Sequence, residues 1–300
     1  MNDTPTLADW RRRRTRAQVA QLERQILDVL AEDHPQSVRH VFYRLTDPRL
    51  PEPVEKTEQG YAQVQRRLVD MRRRGVVPYR WITDSTRRGY HVDTFASGGE
   101  FVEAMARHYR ADLWRFADVH VEVWTESRSM AGVVQADCED LAVSLYPAGG
   151  FASLTLAHQA AEYIRAEVER GDKTGAVVLY VGDYDPAGVL IDRAIEAVLR
   201  EHLGADIPLR FDRLAINPDQ ITLFDLPAKP RKAIDRRRLD IVETVEAEAM
   251  PASVLRDMLR ERIEAYLPAG ELERVRVAEE SERSGLRALG LQIQEGAGAL

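Results

Sequence analysis

The most informative stretch of the sequence is Leu179-Tyr-Val-Gly-Asp-Tyr-Asp-Pro-Ala-Gly188. Residues 176–181 are a continuous apolar run of strand length, typical of a strand buried on both faces of a sheet. From Ala187 onward, apolar residues recur at helical spacing. The pattern predicts an α/β fold in which Asp183 and Asp185 occupy a strand-to-helix turn. In open parallel sheets that turn lies at the carboxyl edge, where ligands bind.

The acidic residues of this turn indicate a metal ion. Asp183 and Asp185 are two positions apart, so in extended chain their side chains project the same way and can converge. Two carboxylates about 4 Å apart repel by roughly 1 to 4 kcal/mol, and a hard cation removes this cost. A third acid, Glu126, follows the alternating residues 119–124, which predict another strand. Taken alone, Asp-x-Asp also occurs in phosphatases, nucleotidyltransferases and ordinary Asx turns.

Length and composition predict a globular protein of one large or two modest domains, with 300 residues and 44% hydrophobic content. No apolar run approaches about 18 residues, and residues 11–14 are all arginine, so we predict neither a membrane span nor a signal peptide. The single cysteine, Cys138, excludes an internal disulfide and a cysteine-based zinc site, and we expect it to be a buried free thiol. We expect a cytoplasmic protein with no membrane partner.

The net charge of −7 is unevenly distributed along the chain. Residues 1–90 carry 18 Lys and Arg against 12 Asp and Glu, whereas the remainder carries 24 against 37. A basic first third joined to an acidic remainder fits a DNA-binding module attached to a metal-dependent module. A solvated arginine-rich surface is the alternative interpretation.

The second helical pattern of the N-terminal third places a tyrosine in an unusual position. It runs from Val38 to about Thr46, and its apolar stripe consists of Val38, Val41, Phe42 and Leu45. At about 100° per residue, Tyr43 lies about 150° from the centre of that stripe. Arg39, four residues earlier, projects on the same side of the helix. We therefore expect Tyr43 to face outward beside the Arg39 guanidinium.

The residues after this helix predict a DNA-binding module. A third helix is expected at about 57–74, with basic residues opposite its apolar face, and residues 76–83 suggest a short hairpin or wing. Three helices, a basic last helix and a wing predict a winged helix-turn-helix whose last helix enters the major groove of double-stranded DNA. A three-helix bundle that only positions the next domain is the alternative. The basic residues predicted to bind DNA here are Arg66, Arg73, Arg87 and Arg88.

The chain divides into three predicted parts. Residues 1–92 form a basic arm and the winged helix, residues 93–115 form a linker helix, and residues 116–300 form a mostly parallel α/β domain with a C-terminal helical extension. We expect residues 278–300 to be a fraying tail.

A later segment combines basic and acidic residues that are candidates for the same site. Lys229 and Lys232 belong to a basic segment that could hold a DNA backbone near the metal ion, or a solvated loop. Glu246 and Glu248 are possible outer-shell acids, although charge on a helix surface is the preferred interpretation.

Two motifs together resemble one family. Glu126 and the segment Gly182–Gly188 are similar to the Toprim domain of topoisomerase VI A subunits and the meiotic double-strand-break protein. The segment Arg39–Tyr43 is similar to the Arg-acid-aliphatic-aromatic-Tyr motif in the winged helix of the same family, and small phage and bacterial relatives share further segments. In this chain His40 stands at the acid's position, and Ser127 stands where those relatives usually have lysine.

The resemblance implies a fold, an activity and partners. The fold would be a winged helix-turn-helix followed by a Toprim-type mostly parallel α/β domain. Tyr43 would attack DNA and become joined to a 5′ phosphate, assisted by Arg39. Glu126, Asp183 and Asp185 would hold Mg²⁺, or Mn²⁺, and Glu126 would also count among the catalytic residues. The family works as a homodimer in which the tyrosine of one subunit acts with the metal ion of the other.

Other functions remain open from the sequence alone. The chain has no Gly-x-x-x-x-Gly-Lys-[Ser/Thr] phosphate loop, so strand passage would require an ATPase partner subunit. A Toprim nuclease that uses metal-activated water, as in plasmid or phage defence, is a second interpretation. A DNA-binding regulator without catalytic activity is a third. A primase is disfavoured because the sequence has no zinc-ligand cluster.

Overall fold

The computed structural model describes residues 14–83, 92–150, 154–231 and 239–297. Its N-terminal part consists of three helices that begin at side-chain caps. Thr15, Ser37 and Thr57 each accept a hydrogen bond from a backbone N–H in the first turn of the helix that follows. The helices are α1 (Arg16–Glu32), α2 (Val38–Leu45) and α3 (Glu58–Arg73), and the last two agree with the helices predicted at 38–46 and 57–74.

The predicted wing differs from the structure within residues 76–83. This segment contains a short 3₁₀ turn at Tyr79–Trp81 instead of an antiparallel hairpin. Ile82 then forms a parallel bridge with Gln36, and the N–H of Gln36 donates to the carbonyl of Trp81 at 3.0 Å. The backbone groups that a hairpin would pair with each other are thus partly taken by the segment before α2. Arg87 and Arg88 lie outside the described residues.

The predicted linker helix is shorter in the structure, where α4 spans only Gly98–Ala106. After it the chain turns toward Glu279, whose carboxylate accepts from the backbone N–H of Ala111 at 3.0 Å and pairs with Arg110 at 3.0 Å. These tertiary hydrogen bonds replace the intrahelical ones that a helix continuing to residue 115 would make. The predicted domain boundaries remain predictions.

A four-stranded parallel sheet forms the centre of the α/β part, as predicted. The order of its strands is β2-β1-β3-β4, with every neighbouring pair parallel. β3 is buried along its whole length, which explains its continuous apolar sequence. The elements are β1 (Val119–Thr125), α5 (Arg128–Asp140), β2 (Ser144–Pro147), α6 (Leu154–Arg170), β3 (Gly175–Val181), α7 (Pro186–Leu203) and β4 (Leu209–Ala215).

Apolar side chains cover both faces of this sheet. On one face, α6 and α7 pack against residues such as Val178 and Tyr180 of β3. On the other, Val177 and Leu179 belong to a core that continues through α5 into the N-terminal helices. The free thiol of Cys138 is buried in this second core, as predicted, and burial raises its pKa to about 12.

The chain after β4 returns to the carboxyl edge of the sheet and then ends in two helices. Its elements are α8 (Pro218–Leu223), β5 (Lys229–Pro230), β6 (Glu243–Thr244), a 3₁₀ turn (Ala247–Ala249), α9 (Ala252–Glu264) and α10 (Glu271–Ala297). β5 and β6 pair antiparallel, and α9 packs into the core shared with the N-terminal helices.

The predicted fraying tail is wrong, because residues 271–297 form the single helix α10. It packs against α4 at a point where two glycines face each other. A Cβ atom on Gly290 would lie 2.9 Å from the carbonyl oxygen of Gly99, closer than real Cβ contacts allow. Because α10 packs mainly against one other helix, its sequence lacks the broad apolar stripe by which a helix is usually predicted. Among the described residues, no helix is long and apolar enough to cross a membrane.

Candidate functional site

Glu126 and Asp183 meet at the carboxyl edge of the sheet. Thr125 and Val181 are paired across β1 and β3, so the residues that follow them leave the sheet side by side. The N–H of Glu126 donates to the carbonyl of Val181 at 2.8 Å. In return, Oε2 of Glu126 accepts from the N–H of Asp183 at 2.9 Å. The sequence argument that acids from two strand-to-helix turns lie close together is therefore supported by a direct contact.

The two aspartates engage different parts of the chain. Oδ1 of Asp183 accepts from the backbone N–H of Ala247 at 2.8 Å. Asp185 caps α7, with its Oδ1 accepting from the N–H of Gly188 at 2.7 Å. The pair thus fixes the 3₁₀ turn on one side and the start of α7 on the other.

Small residues allow the acids to approach the backbone. A Cβ atom on Gly182 would lie 2.8 Å from Oε2 of Glu126, and one on Gly188 would lie 3.1 Å from the same oxygen. The nearest atoms are the Tyr180 ring for Gly182, at 2.6 Å, and the Asp183 carbonyl oxygen for Gly188, at 2.3 Å, so both positions require glycine where the Glu126 carboxylate meets the turn.

Arg213, on β4, binds the strand-to-helix turn that carries Asp183 and Asp185, called here the aspartate turn. Its guanidinium pairs with Asp192 of α7 at 2.5 Å and donates to four backbone carbonyls of the turn and its surroundings. Its side chain is only 13% exposed, and it lies over the ring of Tyr180. Sequence analysis missed Arg213, because a single arginine in a strand gives no local signal of this role. The acceptors are Gly182, Asp183, Gly188 and Ile216.

The cluster concentrates negative charge. Burial raises the pKa of Glu126, and the charge of Asp185 raises it further. Burial together with the charges of Glu126 and Glu248 raises the pKa of Asp183 well above its ordinary range. Mutual repulsion of this kind is what a divalent cation relieves, and carboxylate oxygens are the donors that Mg²⁺ and Mn²⁺ prefer. The donor set therefore fits a hard divalent ion.

The carboxylates do not converge on a common point in this conformation. Across residues 14–83, 92–150, 154–231 and 239–297, no group of three or more His, Cys, Asp or Glu side chains is arranged to hold a metal ion. Glu126, Asp183 and Asp185 each have one oxygen committed to a backbone N–H. The three side chains must change their arrangement before they can share an ion.

The segment after β6 brings two further acids to the site. Val245 pairs with Tyr184 through two backbone hydrogen bonds of 2.8 and 3.0 Å, which attaches the segment to the aspartate turn. Glu248 is buried and accepts from the hydroxyl of Ser129 at 2.7 Å. Glu246 pairs with Arg39 and, at 3.0 Å, with Lys229. The preferred interpretation of Glu246 and Glu248 as helix-surface charge is therefore wrong.

Tyr43 is buried, with 6% of its surface exposed, which corrects the expectation that it faces outward. Its hydroxyl lies 3.2 Å from Nζ of Lys229, and the 3₁₀ turn packs against α2. Helical periodicity identified the apolar stripe correctly but gave no sign that distant chain covers the other side. Burial raises the pKa of Tyr43, and the charge of Glu246 and its hydrogen bond add to this shift.

Arg39 lies next to Tyr43, as predicted, but its guanidinium is held by Glu246 and stacks over the ring of Tyr61. Arg39 and Tyr61 both line a cavity of about 220 Å³. The remaining lining is Phe42, Tyr43, Lys56, Thr57, Glu58 and Lys229.

The two residues that depart from the family motifs have structural roles. His40 is buried and lies within hydrogen-bonding distance of the Ser37 hydroxyl at 2.9 Å, and burial lowers its pKa to about 3. It therefore supplies no charge beside Tyr43. Ser127 caps α5, accepting from the N–H of Met130 at 3.2 Å.

The predicted DNA-binding residues fall into three groups. Arg66 and Arg73 of α3 are exposed on the face away from the core, as the helical pattern indicated. Lys229 lies at Tyr43, closer to the candidate site than its sequence context suggested. Lys232 lies outside the described residues, as do Arg87 and Arg88.

No family model, curated protein or solved structure matches this chain.

Proposed function

We propose that this protein is a Mg²⁺-dependent DNA strand-breaking enzyme of the topoisomerase VI A type, with a winged helix-turn-helix and a Toprim-type domain. One observation carries the proposal. The segment 245–249 connects the nucleophile candidate with the acids, since Glu246 is linked to Tyr43 through Lys229 and the N–H of Ala247 donates to Asp183. Groups separated by more than a hundred residues in sequence thus share one neighbourhood.

The proposed reaction is a transesterification. The Tyr43 oxygen attacks a backbone phosphorus, a phosphotyrosine bond forms, and the bond from phosphorus to the 3′ oxygen breaks. The phenol loses its proton, and the departing 3′ oxygen gains one. Arg39 and Lys229 stabilise the negative charge on the phenolate and on the attacked phosphate by charge-assisted hydrogen bonds. Because the pKa of Tyr43 is raised, this stabilisation is essential at neutral pH.

Glu126, Asp183 and Asp185 are the residues that would hold the metal ion. Once bound, Mg²⁺ or Mn²⁺ would neutralise charge on the phosphate and position it. Glu248, through Ser129, and Arg213, through the turn carbonyls, would keep the ligands oriented.

The proposed partners are double-stranded DNA, a second copy of the chain and an ATPase subunit. The exposed guanidiniums of Arg66 and Arg73 support a DNA-facing surface on α3. A homodimer and the ATPase partner rest on the family resemblance.

A second candidate function is a Toprim nuclease in which metal-activated water replaces the tyrosine. The burial of Tyr43 favours it, because a covered, protonated phenol is a poor nucleophile. The acid cluster would serve both reactions in the same way.

The test is incubation of supercoiled plasmid with the protein and Mg²⁺ or Mn²⁺, followed by denaturing electrophoresis with and without protease. We expect broken strands that carry covalently attached protein. Tyr43→Phe should abolish the attachment, and Glu126→Gln should abolish breakage. Tyr79→Phe is the matched control, since that ring is 64% exposed in the same part of the protein.

The outcomes separate the candidate functions. Full cleavage by Tyr43→Phe, with no adduct in either protein, would favour water as the nucleophile. Metal-independent DNA binding without any cleavage would favour the non-catalytic regulator.

A further inference from the structure

The carboxylate of Glu246 lies between two cations beside Tyr43. It pairs with the guanidinium of Arg39 through Oε2 and with Nζ of Lys229 through Oε1, the latter at 3.0 Å. The same Nζ lies 3.2 Å from the Tyr43 hydroxyl. Burial alone would raise the pKa of Glu246, but the hydrogen bonds and charges of Arg39 and Lys229 lower it, so the group is an anion.

A third cation faces the same cavity. Lys56 lies over the ring of Tyr43, with its Nζ 5.4 Å from the ring centroid, and donates to the carbonyl of Pro227 at 2.6 Å. Burial and the neighbouring charge of Lys229 lower the pKa of Lys56 to about 8. Two cations therefore pair with the Glu246 carboxylate, and Lys56 adds a third positive charge to a cavity whose lining includes one acid, Glu58. A cationic cavity of this kind favours anions, and phosphate oxygens accept the same hydrogen bonds that a carboxylate accepts.

We propose that Glu246 occupies the position of a DNA phosphate, so that the protein's own carboxylate closes the site until a backbone phosphodiester displaces it. This role of Glu246 rests on the proposed function, because its carboxylate would block the site at which DNA binds. Displacement would free Arg39 and Lys229 for the phosphate at the place where Tyr43 attacks.

The position of Glu246 in the chain connects this displacement to the acids. The next residue, Ala247, holds Asp183 through its backbone N–H. When Glu246 leaves its cations, the 3₁₀ turn at 247–249 is no longer attached to α2 through these ion pairs. Asp183 is then freer to turn toward a metal ion, as convergence of the acids requires.

The experiment measures binding separately from cleavage. Affinity for a short fluorescein-labelled DNA duplex is measured by fluorescence anisotropy in EDTA, for the wild-type chain and Glu246→Gln. We expect the variant to bind about 2-fold to 30-fold more tightly, the range that two partly exposed ion pairs support. Lys229→Met should weaken binding both alone and combined with Glu246→Gln, because the phosphate uses this ammonium in either case.

Glu201→Gln is the charge-matched control. It removes the same charge from an exposed residue of α7, about 24 Å along the helix from Asp185. Circular dichroism reports whether each variant is folded, and Glu246→Asp, which keeps the charge, provides a second variant expected to bind like the wild-type chain.

The result has distinct meanings for the two proposals. Tighter binding by Glu246→Gln without any plasmid cleavage by the wild-type chain would refute the proposed function and leave the phosphate site standing. An affinity no higher than that of Glu201→Gln, or no DNA binding in EDTA, would overturn the role of Glu246 whatever the cleavage assay gives.

Discussion

Removal of the Arg213 guanidinium should destabilise the protein far more than its position in a strand suggests. Arg213 and Asp192 form an ion pair whose side chains are only 13% and 12% exposed. Substitution by methionine keeps much of the volume but leaves the carboxylate without its partner. Breaking one partner of a buried pair costs about 3–5 kcal/mol, a large part of the roughly 5–15 kcal/mol that stabilises a typical domain. The turn carbonyls also lose their donor.

Urea unfolding followed by circular dichroism measures this loss. We expect Arg213→Met to lower the free energy of unfolding by about 3–5 kcal/mol, and Asp192→Asn in the same background to recover part of it. Arg210→Met is the control on the same strand, since that side chain is 57% exposed and little change is expected. If Arg213→Met lowered the free energy of unfolding by less than about 1 kcal/mol, Arg213 would not stabilise the aspartate turn as inferred here.

Two further expectations concern stability. Burial lowers the pKa of His40 from 6.5 to about 3, so the unfolded chain binds a proton that the folded chain excludes. The free energy of unfolding is therefore highest above pH 6.5, where His40 is neutral in both states. It falls by about 1.4 kcal/mol per pH unit between pH 6.5 and 3, where only the unfolded chain binds the proton. Urea unfolding at several pH values should show that the free energy of unfolding changes less with pH in His40→Gln than in the wild-type chain. Equal pH dependence of the two would contradict this role of His40. Gly290→Leu should separate α4 from α10 and cost about 1–3 kcal/mol in the same assay. Gly296→Leu, which meets open space, should be close to neutral, and equal effects of the two would refute the contact.

The strand-turn-helix units could be predicted because their signals are local. The apolar run of β3 and the helical periodicity of α2 and α3 identify those elements within a few residues. The meeting of Glu126 with Asp183 could be predicted as well, because parallel neighbours end at one edge.

What the sequence could not supply are contacts between distant parts of the chain. Nothing near Tyr43 indicates that Lys229 and the 3₁₀ turn cover it, and helical periodicity alone suggested exposure. Glu246 and Glu248 resembled surface charge because their partners are far away in sequence. α10 was missed for a related reason, since the periodicity of one helix does not reveal a partner.

The segment between Val245 and Ala249 also bears on how the protein folds. It joins the aspartate turn to α2 through the contact of Glu246 with Arg39, which spans 207 residues of chain, and its partner Lys229 contacts Tyr43 across 186 residues. Closing loops of that size is slow, because their entropy is lost before any contact rewards it. The helices and the sheet can therefore form first, while the chemical groups remain apart. A partly folded chain would hold Tyr43 and the carboxylates without their common neighbour, and these groups would come together only in the last stage of folding.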